Sequence, residues 1–125
     1  MPKQHFKNQL LKTLAFSGLA FLSTGFAIQR FAAPSAATVL IDRSYCPATQ
    51  WKNLADDYAQ LYEQHQRQQI RIKSVVTFSG LDQAKLEAVP TPDAIRTLNT
   101  YGQSNAKTQS ALLQAYPNST LLSCQ

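Results

Sequence analysis

The chain has 125 residues, so it holds one domain at most, and its 12 Lys and Arg against 7 acids give a net charge of +5. That excess belongs to the N-terminal third: Lys3, Lys7, Lys12 and Arg30 precede Thr38. From Thr38 onward eight basic residues face seven acidic ones, a balance of +1 that leaves no electrostatic footprint for nucleic acid.

Residues 1–37 read as a signal peptide or an N-terminal membrane anchor with its linker. Met1 to Lys12 is basic, and Thr13 to Ile28 is an uncharged, largely apolar run of 16 residues. Ala32-Ala33-Pro34-Ser35-Ala36-Ala37 then supplies small residues, which completes the order of a secretory leader. Cleavage after Ala37 or after Ala27 would suit a protease that selects small side chains. The apolar run falls short of the ~20 residues a spanning helix needs, which favours cleavage over anchoring. Either way the remainder is expected across a membrane, in a periplasmic, lumenal or secreted location, with membrane contact only through this segment.

Residues 38–125 read as a small α/β domain. Val39-Leu40-Ile41 is apolar on consecutive positions, the pattern of a strand covered on both faces. Pro47 suits the start of a helix. Trp51, Leu54, Ala55, Tyr58, Leu61, Tyr62 and His65 then recur at three- and four-residue intervals, predicting an amphipathic helix that ends near 67–69. His65 lies on that stripe and reads as a helix-end residue with one nitrogen satisfied. Ile70 to Phe78 alternates, with Ile70, Ile72, Ser74, Val76 and Phe78 on one face and Arg71, Lys73, Val75 and Thr77 on the other. Its two basic residues suggest an edge strand. Leu81 to Ala88 reads as one or two helical turns. Thr91-Pro92-Asp93 is an N-terminal helix signal, with Ile95, Leu98 and Tyr101 inward and Gly102 as the stop. A further helix is expected over 105–116, and Thr120 to Cys124 as a last strand. The order β-α-β-α-α-β requires parallel strands joined by crossovers, here a three-stranded parallel sheet ordered 2-1-3.

Chemistry is sparse in this pattern. Cys46 and Cys124 end neighbouring strands on the same edge, where strands ~4.8 Å apart bring Cα atoms into disulfide range. A bridge is the expected pairing in an exported domain, and closing so long a loop stabilises by about 4 kcal/mol in the entropy model. Cys46 at a helix start is also placed to be a reactive thiolate. The succession strand, Tyr45-Cys46-Pro47, helix resembles the opening of thioredoxin- and glutaredoxin-type proteins over about the first 35 residues after the leader. Thr49 stands where that family keeps its second cysteine. The resemblance implies a thiol-redox role with Cys46 as nucleophile and Thr49 as hydrogen-bond donor. The chain then departs from the family, placing Thr91-Pro92 at a helix start.

Asp42 and Arg43 end the first strand, and Ser79 and Gly80 end the second. Together they could line a shallow ligand edge where open α/β sheets bind, or form a local ion pair or helix cap. No metal-ligand spacing, serine–histidine–acid set or nucleotide loop occurs, so no cofactor and no metal are expected. The expectation is a non-catalytic accessory or binding domain with a protein partner. The alternatives are an exported thiol-redox protein using Cys46 and a membrane-tethered small subunit of a larger complex.

Overall fold

The computed structural model describes residues 34–124; the leader or anchor expected before Pro34 lies outside them. Seven elements follow in order: β1 (Ser35–Asp42), α1 (Ala48–Gln66), β2 (Ile70–Phe78), β3 (Gln83–Leu86), α2 (Pro92–Arg96), α3 (Ala106–Ala115) and β4 (Ser119–Leu122). The result is an α/β fold with one four-stranded mixed sheet in the order β3-β2-β1-β4. β1 pairs in parallel with β2 and β4, and β3 pairs antiparallel with β2. No helix among the described residues is long and apolar enough to cross a membrane.

β1 is the centre because its apolar run needs cover on both faces, and it has it. Val39 and Ile41 join Trp51, Leu54, Ala55 and Tyr58 of α1 and Ile95 of α2 in one buried cluster. Leu40 joins Leu112 of α3, with Tyr116 and Leu121 packed alongside, in a second cluster. The alternation of β1 thus feeds two layers of helix, which explains why its consecutive residues are all apolar.

Three sequence expectations change. The segment 81–88 is not helical, because Gln83–Leu86 forms β3 against Val75–Phe78. That adds a fourth strand to the expected three and places the C-terminal half of β2 inside the sheet. The half that carries Arg71 and Lys73 is not paired by β3, so the basic residues guard only that stretch of edge. The second change is a bulge. Ala37 pairs with Ile72 but Thr38 pairs with Ser74, which leaves Lys73 as an extra residue and reverses the alternation of β2. Ile72 and Val75 therefore face α1, whereas Val76 and Phe78 face α3. Strict alternation would have put Ile72 and Val76 on the same side.

The third change is the helix expected to run to Tyr101. Its start is as predicted, with the Thr91 side chain accepting from Ala94 N–H and Pro92 at the first turn. It ends at Arg96, and residues 97–105 cross to the end of β1 instead. Tyr101 N–H donates to Arg43 O at 2.8 Å, and the Arg43 side chain takes the Asn99 carbonyl. Gly102 has φ +79° in this loop, so its conformational freedom serves a loop turn and not a helix stop.

α1 ends in a paired C-terminal motif. Gln69 N–H donates to Gln64 O and Gln68 N–H to His65 O, with Gln68 left-handed at φ 59°. His65 Nδ1 accepts from Ile72 N–H at 3.2 Å, tying the helix end to the bulged strand.

Candidate functional site

Parallel strands β1, β2 and β4 all end on one edge of the sheet, and the residues singled out for chemistry gather there. Cys46 follows β1 and Cys124 follows β4. The two form a disulfide with Cα atoms 6.0 Å apart across a sequence separation of 78. Parallel neighbours ending on one edge make this geometry without backbone movement. Cys46 is buried at 5 % exposure, and Cys124 is partly exposed. Thr49 lies exposed in the first turn of α1.

Asp42 is buried at 5 % exposure, yet its partners are neutral. One carboxylate oxygen accepts from Ser44 N–H at 2.9 Å and Ser44 Oγ at 2.6 Å. The other accepts from Gln109 Nε2 of α3 at 2.9 Å and Ser104 Oγ at 3.3 Å. Such donors replace the water that a buried carboxyl group loses. Asp42 therefore couples the end of β1 to the 97–105 loop and to α3. It caps no helix end: the N-cap of α3 is Asn105, whose side chain accepts from Lys107 and Thr108 N–H.

Arg43 turns the other way. Its Nε and Nη2 both donate to Asn99 O, at 3.0 and 2.8 Å, and its guanidinium carbon lies 5.1 Å from the centre of the Tyr101 ring. Tyr101 in turn donates its hydroxyl to Asp82 Oδ2 at 2.6 Å. That bond, with some burial and the Asp82 charge, holds the Tyr101 phenol above its ordinary range, since Asp82 stabilises the protonated form. Ser79 Oγ accepts from the Leu81 and Asp82 N–H groups, which shapes the tight β2–β3 turn. Gly80 sits in that turn against the neighbouring loop. A Cβ added there would collide with the Gln103 carbonyl oxygen.

The four edge residues are thus brought together with loops that the sequence did not associate with them. Ser104, Gln109, Asn99, Tyr101 and Asp82 were missed, although a buried strand-end carboxylate signals in general that donors must converge on it. Between the β2–β3 turn and the start of α3 lies a cavity of about 520 Å³ lined by Gly80, Leu81, Gly102, Gln103, Ser104 and Asn105. Two large apolar side chains protrude at the same edge, Tyr45 and Leu81, each 76 % exposed. Both adjoin Gly102: Tyr45 N–H donates to its carbonyl at 2.9 Å, and Leu81 Cγ lies 3.3 Å from where its Cβ would be. Among the described residues no group of three or more His, Cys, Asp or Glu is placed to hold a metal ion.

Comparison with protein-family models, with curated proteins and with solved structures finds no match for this chain.

Proposed function

We propose that this is a non-catalytic accessory domain of an oxidising, exported compartment. It is closed by Cys46–Cys124 and binds a protein partner through the C-terminal edge of its sheet. One contrast carries the reading. Asp42, Arg43, Asp82 and Tyr101 are engaged with one another's loops, while Tyr45 and Leu81 stand 76 % exposed on the scaffold those contacts brace. Large apolar side chains exposed side by side on one edge are the kind of surface a protein partner covers, and Tyr is among the residues enriched at the centre of such interfaces.

A photo-crosslinking residue at 45 or 81 should capture the same partner band in the envelope fraction, and one at exposed Gln60 of α1 should not. The Tyr45→Ala, Leu81→Ala double variant should weaken that capture by at least about tenfold at unchanged Tm. Equal capture from all three positions would sink the proposal.

Export depends on the N-terminal segment. Ser35, Ala36 and Ala37 belong to β1 and pair with Ile70, Arg71 and Ile72. Processing after Ala27 keeps that pairing and processing after Ala37 removes it. The exported form should therefore begin at Ile28; a retained Met1 would instead support a membrane-tethered subunit. The thiol-redox alternative rests on Cys46 lying next to Pro47, the N-cap of α1, with Thr49 in the first turn of that helix. It requires Cys46-dependent turnover in a dithiol-driven disulfide-reduction assay.

A further inference from the structure

The two cysteines of the bridge differ in exposure, although both pack on the same core cluster. Cys46 is 5 % exposed and packs in the core cluster with Trp51 and Leu54. Cys124 is partly exposed, two residues beyond β4. It lines a surface cavity of about 170 Å³ with Ser123 of the tail and Gln50, Asn53, Leu54 and Asp57 of α1. An incoming thiolate therefore reaches Cys124 Sγ first. A thiolate attacks the accessible sulfur of a disulfide, and the other sulfur leaves.

The leaving sulfur lies near the start of a helix. Cys46 lies one residue before Pro47, the N-cap of the 19-residue helix α1. That helix has no side-chain cap and no acidic residue in its first turn. The positive end of the helix dipole lies on the Cys46 side of Pro47, while the Cys46 sulfur itself lies 3.5 Å from the Pro47 carbonyl oxygen.

We propose that Cys124 is a thiol-modification site: an exogenous thiol exchanges into the Cys46–Cys124 bridge at Cys124, releasing Cys46 as the thiolate. The step balances. A thiolate RS⁻ attacks Cys124 Sγ, the Cys124–SR bond forms, the Cys46–Cys124 bond breaks and its electron pair leaves on Cys46. There is no net oxidation, because one disulfide replaces another. The reverse attack by Cys46 on Cys124 expels RS⁻ and recloses the bridge. The cavity fixes the class of thiol. Among the described residues its one ionisable lining side chain is Asp57, so it favours cationic or neutral small thiols over anionic ones.

The test uses the oxidised full-length chain. It is exposed briefly to cysteamine, or to glutathione at equal thiolate concentration, then acid-quenched and mapped by peptide mass. The first singly modified species should carry cysteamine on Cys124 in about tenfold excess over Cys46. Cysteamine should also outpace glutathione by a few-fold, a margin that shrinks in high salt. Adducts shared equally, adducts concentrated on Cys46, or no adduct while a small strained control disulfide reacts would each overturn the proposal. None of these outcomes bears on partner capture through Tyr45 and Leu81, so the two proposals fail separately.

Discussion

Asp42 is the residue on which the C-terminal edge depends. Its carboxylate takes four hydrogen bonds from three segments, so truncation strands several buried donors at once. Asp42→Ala should cost about 3 kcal/mol in urea unfolding, most of it from donors left without water or partner. Asp42→Asn should cost clearly less, because Gln109 can turn its amide to present oxygen to the new side-chain N–H. Tyr58 is the second critical residue. It is fully buried, its hydroxyl donates to Pro90 O at 2.6 Å, and burial, aided by Tyr62, pushes its phenol well above the ordinary range. A raised folded-state value means the contribution is complete below the unfolded tyrosine pKa of ~10 and is lost as pH rises beyond it. Stability should therefore fall above about pH 10. In a titration at the phenolate absorbance, Tyr58 should ionise only as the protein unfolds; early, reversible ionisation of all five tyrosines would contradict this.

Among the elements, α1 carries an avoidable strain. Gln68 holds the left-handed position of its C-terminal motif, which glycine occupies at no steric cost. Gln68→Gly should stabilise by about 0.5–1 kcal/mol and raise Tm by a few degrees in calorimetry. The β2–β3 turn shows the opposite case. Gly80 lies so close to the Gln103 carbonyl that Gly80→Ala must displace backbone, and should cost about 1–3 kcal/mol. β3 itself pairs only with Val75–Phe78, where the outward N–H and C=O groups of β2 need partners. Beyond that pairing, Arg71 and Lys73 stand on an edge that β3 leaves free.

For the whole molecule the disulfide ties the last strand to the first. Among the described residues β4 pairs only with β1, over four residues, and Cys124 follows it by two positions. Opening a loop of this length should lower stability by about 4 kcal/mol in the chain-entropy model, a large share of the total for a domain of this size. The Cys46→Ser, Cys124→Ser double variant should show that loss in urea. Amide exchange in it should rise first in 119–122 and last in the β1–β2 ladder. Uniform loss of protection would show that the bridge supports the whole core and not its last strand.

Local chemistry was legible in the sequence. The apolar run of β1 and the three- to four-residue stripe of α1 were readable without tertiary information. So were the Thr91-Pro92 start and the closing strand, because periodicity and capping act over a few residues. The pairing of Cys46 with Cys124 followed from topology, since parallel neighbours end together. Other features rested on contacts distant in sequence. Gln83-Ala84-Lys85-Leu86 is too short to announce a strand and becomes one only because the edge of β2 needs hydrogen bonds. Lys73 bulges where the two-sided core demands that Ile72 and Val75 face α1 while Val76 and Phe78 face α3. Residues 97–105 leave helix because Arg43 and Asp42 draw that loop to the end of β1. By itself the sequence determined the central strand, its covering helix and the residues of the bridge. The tertiary structure alone decided which cysteine of the bridge is buried and which side chains brace the edge, because burial and donor convergence are properties of the assembled layers.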